Sequence, residues 1–214
     1  VPAEVTYVEP FRRLVRATAG EREVVRSERV LLVHRPGRPP AYAFPAGDVD
    51  TPAAEPEPEV PGHVRVPWDA ADAWYEEGER VSGHPRNPYH RVDCLRTNRR
   101  LRVELAGAVL VDTTDTLGVY ETALEPRLYV ARAQVDAAIG SAVELVPSAT
   151  TTYCPYKGTA SYWTATVGGT AAEDVAWSYE DPLPESLPLK GMLSFDPERA
   201  SVRQDVPPAS EAWT

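Results

Sequence analysis

Cys154 and Lys157 stand together in the segment Tyr153-Cys154-Pro155-Tyr156-Lys157-Gly158, where a thiol and an amine are within reach of one turn. A thiol is nucleophilic only as the thiolate, and a nearby ammonium favours that form. Pro155 removes a backbone donor and keeps the loop extended, while Gly158 permits the tight turn that would bring the two groups together. Lys157 and Lys190 are the only lysines; all other cationic side chains of fixed charge are arginines. Lysine can act as a titrating base where arginine cannot. The competing reading makes Cys154 a small buried hydrophobe and Lys157 one half of a structural ion pair.

A second constellation lies upstream. His84 and His90 flank Pro85-Arg86-Asn87-Pro88-Tyr89, with Asp93 and Cys94 just beyond. The spacing fits no usual zinc pattern, so no metal is expected. One histidine oriented by Asp93 would serve as a general acid or base, and a prolyl loop with histidines bonded to backbone is the alternative. Arg86 and Arg91 are candidates for binding an anion. The aromatic residues Tyr153, Tyr156, Tyr162, Trp163, Trp177 and Tyr179 crowd one segment. In a small β protein such rings form core and cross-strand pairs. With Lys157 and Arg91 nearby they would also wall a pocket for a planar, partly anionic molecule. The candidate set is therefore Cys154, Lys157, His84 and His90 for chemistry. Arg86, Arg91, Tyr156, Trp163, Trp177 and Tyr179 are the candidates for binding.

These groups must be carried by strands. Leu101, Val103 and Leu105 alternate, Ala106-Gly107 turns the chain, and strands follow at Val109–Asp112, Leu117–Tyr120 and, after a Pro-containing turn, Arg127–Ala131. An earlier stretch repeats this meander. Arg12-Arg13-Leu14 falls opposite Arg99-Arg100-Leu101, Gly20 opposite Gly107, and Val30-Leu31-Leu32-Val33 opposite Leu117-Gly118-Val119-Tyr120. Gly62-His63-Val64-Arg65 matches Gly191-Met192-Leu193-Ser194. Between Asp136 and Gly191 the second copy holds a long polar and aromatic stretch, where the first has an acidic, proline-rich run from Ala46 to Val60. That run reads as a solvated linker. A short helix is expected from Trp68 to Gly78, with Asp69, Asp72, Glu76 and Glu77 on its wet face. The expected organisation is a truncated first copy over 1–80 and a complete second copy over 81–214, in a mainly β fold of two meanders with one or two short helices.

With 214 residues, 43% of them hydrophobic, the chain can bury a core. A net charge of −10 excludes general nucleic-acid binding, and no apolar run approaches a membrane span. Val1 opens no basic, apolar leader, and two distant cysteines need no disulfide, so a cytoplasmic protein with reduced thiols is expected. Arg86, Arg91, Arg96, Arg99, Arg100 and Arg102 form a basic stretch that would pair with the acidic run or hold an anion. Phosphate-binding loops, nucleophile elbows, dinucleotide fingerprints and Cys-x-x-Cys pairs are all missing from the sequence, and no cofactor is expected.

Cys154-Pro155-Tyr156-Lys157-Gly158, with Ser161-Tyr162-Trp163, Ala176-Trp177-Ser178-Tyr179 and Asp181-Pro182-Leu183-Pro184 behind it, resembles the bacterial domain-of-unknown-function family 427, often found as tandem copies in actinobacteria. Gly83 to Asp93 is similar to that family's inter-copy segment. The resemblance implies a compact, strand-rich fold like that of methionine sulfoxide reductase B, and no defined activity. Family tandems carry the Cys-Pro-Tyr-Lys-Gly segment in both copies; here the first copy lacks it, which leaves a single site. The expectation is an enzyme of specialised metabolism acting on a small organic molecule. The alternative is a non-catalytic binding or assembly module in which the segment is structural.

Overall fold

The computed structural model describes residues 5–206. The chain divides into two compact units, Val1–Tyr89 and His90–Thr214. Glu79–Val81 is the last strand of the first of these units. Among the described residues no helix is long and apolar enough to cross a membrane.

The first unit contains β1 (Tyr7–Phe11), β2 (Val15–Ala19), β3 (Arg22–Ser27), β4 (Val30–His34), β5 (Ala41–Pro45), β6 (Glu55–Pro56), β7 (His63–Arg65), β8 (Ala73–Glu76) and β9 (Glu79–Val81). They form two antiparallel sheets, β1-β4-β5-β7-β6 and β3-β2-β8-β9. Alternate residues such as Val15 and Ala17, or Tyr42 and Phe44, supply one core with Phe11, Leu32 and Trp74.

The second unit runs β10 (Val92–Thr97), β11 (Arg100–Leu105), β12 (Ala108–Thr113), β13 (Thr116–Glu121), β14 (Arg127–Ala131), α1 (Arg132–Ala138), β15 (Val143–Cys154), β16 (Gly158–Val167), β17 (Thr170–Ser178), β18 (Met192–Phe195) and β19 (Ser201–Asp205). Its sheets are β10-β13-β14-β18-β17-β16-β15 and β12-β11-β19. Leu101, Val103, Leu128, Val130 and Phe195 build a core like that of the first unit. A second apolar cluster joins Leu117 and Val119 of β13 and Tyr129 of β14, which alternates with Leu128 and Val130, to Ala160, Tyr179 and Leu189. The 3-10 segment Pro184–Leu189 contributes Leu189 to this second cluster.

Three expectations are corrected. Trp68 to Gly78 is not a helix: a 3-10 turn spans Trp68–Ala70, and Ala73–Glu76 then pairs with β2. Glu76 is buried, accepting a 2.5 Å bond from the Tyr42 hydroxyl and one from Arg13. The acidic run is not a free linker. Glu55 pairs with Arg65, Asp48 with Arg29, and Glu57 and Glu59 with Arg35. In the basic stretch, Arg91 pairs with Asp93 and Arg100 with Asp112. Finally, the match between the two stretches as read in sequence is one residue out of register with their strand pairing. Val15 pairs with Glu76 as Leu101 pairs with Gln204, and Leu31 with Ala43 as Leu117 with Tyr129. Leu117 thus stands where Leu31 does. A one-residue slip would move every side chain to the other face.

Candidate functional site

The hairpin β15–β16 closes on the pair Cys154 and Gly158, leaving Pro155-Tyr156-Lys157 as its turn. Gly158 has φ +98°, and a Cβ there would lie 3.4 Å from the Asp181 carbonyl oxygen and from the Leu183 amide nitrogen. The positive φ is what calls for glycine here, with the neighbouring backbone at close van der Waals range. The Leu183 amide donates to the Lys157 carbonyl at 3.1 Å, and Ser186 Oγ donates to the Tyr156 carbonyl at 3.2 Å. The turn is therefore anchored at two carbonyls, and the Tyr156 and Lys157 side chains point inward, each residue 8% exposed.

Buried lysine needs a counter-charge, because desolvation otherwise disfavours the ammonium. Glu121, at the end of β13, supplies it. Its Oε2 accepts from Lys157 Nζ, and its Oε1 lies 2.9 Å from His90 Nε2. One shielded carboxylate thus bridges an amine and an imidazole. The His90 ring stacks on Tyr156 with centroids 3.9 Å apart, which holds the imidazole against the turn. Lys157 Nζ lies 5.9 Å from the Tyr179 ring centroid.

Lys157 and Glu121 line a cavity of about 530 Å³ together with Tyr129, Tyr162, Trp177 and Tyr179. That volume suits a small organic molecule. Tyr162 and Trp177 are cross-strand neighbours, and Trp177 Nε1 donates to the Tyr129 hydroxyl at 2.8 Å. Burial holds the Tyr179 phenol protonated well above the usual phenol range. Burial does the same for Tyr129, against the opposing bond from Trp177. Glu125, Arg127 and Asp196 complete the charged wall. The acids Glu121, Glu125 and Asp196 thus face the bases Lys157 and Arg127.

The structure gathers Lys157, His90 and Tyr156 around one carboxylate, and Trp177 and Tyr179 around the cavity. Cys154 is half-buried and packs against the aromatic cluster beside Tyr179, outside the cavity wall. Trp163 has the opposite parity on β16. It joins the larger core, with the Arg132 guanidinium 4.1 Å over its ring. Arg91 is exposed and paired with Asp93 at 2.8 Å. His84 and Arg86 belong to the first unit, where His84 Nδ1 lies 2.7 Å from the Pro85 carbonyl oxygen. Among the described residues no three histidine, cysteine or acidic side chains gather as metal ligands. Glu121 and Tyr129 were missed in the sequence. The available signal was an acid closing an apolar strand, Thr116 to Glu121, which had to end beside a cation.

The family model described as a domain of unknown function (DUF427) matches residues 93–206, which takes in almost all of β10 and every later strand. No curated protein matches the chain.

Proposed function

We propose, for a chain that belongs to the family described as a domain of unknown function (DUF427), that the second unit binds a small planar organic molecule and acts on it by acid–base chemistry. The reading rests on one observation: the buried Lys157 ammonium is held by Glu121 at the wall of an aromatic cavity. An ammonium has three donors and Glu121 takes one, so Lys157 can donate to a carbonyl or hydroxyl oxygen of the ligand. Tyr129, Trp177 and Tyr179 supply flat surface. His90 shares the same carboxylate and brings a second proton-bearing group to it. Because acids outnumber bases in the wall, an uncharged ligand fits better than the partly anionic one first expected. Cys154 is given no part in the chemistry.

A non-catalytic binding module is favoured by a different observation, the two carbonyl bonds and the ion pair that already satisfy the turn. The two readings separate experimentally. With benzamide as the probe, the Trp177 indole N–H signal should shift in NMR spectra of the full chain, and Lys157→Met should weaken the response. Benzamide binding without turnover of any planar carbonyl compound would leave the binding reading, and turnover that survives Lys157→Met, in a variant with a native circular dichroism spectrum, would remove Lys157 from the chemistry.

The first unit is, in this proposal, a truncated copy of the second. Its order β1-β4-β5-β7 parallels β10-β13-β14-β18, and β3-β2-β8 parallels β12-β11-β19. Register shifts fall at Ala17/Thr18 and at Val103/Glu104, equivalent points of the two ladders. The hairpin β15–β16 has no counterpart among the first unit's described residues, so the described residues hold one such site. A cytoplasmic setting, with both thiols free, suits it.

A further inference from the structure

A second cavity of the same unit, about 550 Å³, lies at the other end of β13 and is lined by Thr116 and Leu117 rather than Val119 and Glu121. Its charges run the opposite way. Arg96 and Lys190 face it against a single acid, Asp115, whose Oδ2 accepts from Gln134 Nε2 at 3.2 Å. Neither cationic side chain has an ion-pair or hydrogen-bond partner among the described residues. The sequence carries 32 acidic residues against 22 basic ones, so an acid for each was readily available. Among the described residues two cations thus face one acid on one concave wall, which makes it an anion site. The rest of the wall is apolar: Leu117, Ala131, Pro188 and Met192, with the Cys94 thiol among them.

We infer that this cavity binds a small organic carboxylate, its anionic end between Arg96 and Lys190 and its apolar body against Leu117, Pro188 and Met192. Arg96 offers a planar pair of donors that matches a carboxylate, and Lys190 adds a point charge. Asp115 leaves the wall with a net charge of one cation, which a carboxylate neutralises and a phosphate dianion would exceed. The apolar wall gives an organic body a gain that an inorganic ion lacks. The two cavities share no lining residue, and Lys157 reaches this wall only through its charge on the Cys94 thiol.

Cys94 provides the reporter. Its thiol is half-buried in this wall, and burial pushes it up, so alkylation is slow enough to follow. The full chain is treated with iodoacetamide, and labelling at Cys94 and Cys154 is followed separately by mass spectrometry with benzoate, benzamide or inorganic phosphate present. Benzoate should slow labelling of Cys94 and leave Cys154 unchanged, and benzamide and phosphate should not. Arg96→Gln and Lys190→Gln should each raise the benzoate concentration needed by about tenfold, while Lys157→Met should leave it unaltered. Equal protection by benzamide or by phosphate would overturn the inference, as would no protection by benzoate in a protein with a native circular dichroism spectrum. Since Arg96 and Lys190 are exposed, their variants should fold.

Discussion

Arg35 and Glu121 occupy the same place in the two units, just beyond or at the end of the strand that pairs with β1 in one and β10 in the other. Arg35 gathers two carboxylates, Glu57 and Glu59; Glu121 gathers two bases, Lys157 and His90. The charge pattern is inverted between two topologically matching strand ends. The hydrogen bond to Glu59 leads in holding the Arg35 guanidinium protonated far above any useful pH, so this cluster can only hold structure together. An amine, an imidazole and a carboxylate can exchange protons. The same strand end is a clamp in one unit and a candidate site in the other, and the hairpin β15–β16 makes the difference by delivering Lys157.

The clamp should show the largest effect. Arg35→Ala would strand Glu57, whose side chain is fully buried and whose Oε2 already lacks a partner among the described residues. The expected loss is about 3–5 kcal/mol, read from urea denaturation. At the site, Lys157→Met should cost less, about 2–3 kcal/mol, because His90 remains beside the Glu121 carboxylate. If the Lys157 variant is the more damaged of the two, the contrast between clamp and site fails. Trp177→Phe keeps the cavity wall but removes the donor to Tyr129, and about 1 kcal/mol is expected.

The smallest effect is a pH dependence. The hydrogen bond from Arg35 pushes the Glu59 carboxyl down to about 2 from an ordinary 4.5. A depressed folded-state value adds stability that is complete above the ordinary value and lost as pH falls through the folded one. The advantage of the native protein over Glu59→Gln should therefore be constant above pH 4.5 and vanish towards pH 2, in melting temperatures measured across that range. A constant difference down to pH 2 would place Glu59 outside the clamp.

The strands of the second unit were legible because alternate apolar residues such as Leu101, Val103 and Leu105 report a half-buried sheet directly. Trp68 to Gly78 misled because Trp68, Ala71 and Trp74 also carry a helical spacing. Pairing of β8 with β2 overrode it, with Glu76 buried against Tyr42 and Arg13 rather than solvated. The Cys-Pro-Tyr-Lys-Gly turn stood out by composition, yet which of its side chains faces the cavity depends on the parity of the closing pair Cys154–Gly158. The partners of Glu121 were not legible, since Lys157 and His90 are distant in sequence and meet it only through the fold.

The chain's two lysines allow the central claim to be tested directly. With lysine labelled at Nζ by ¹⁵N, two ammonium signals are expected near neutral pH. Lys190, exposed and without an ion-pair partner among the described residues, exchanges rapidly and serves as the reference. Lys157 should give a signal protected from exchange, lose that protection in Glu121→Gln, and shift when benzamide is added. A Lys157 signal that exchanges as fast as that of Lys190, or one unmoved by benzamide while Trp177 shifts, would contradict the assignment of Lys157 as the ligand-facing group.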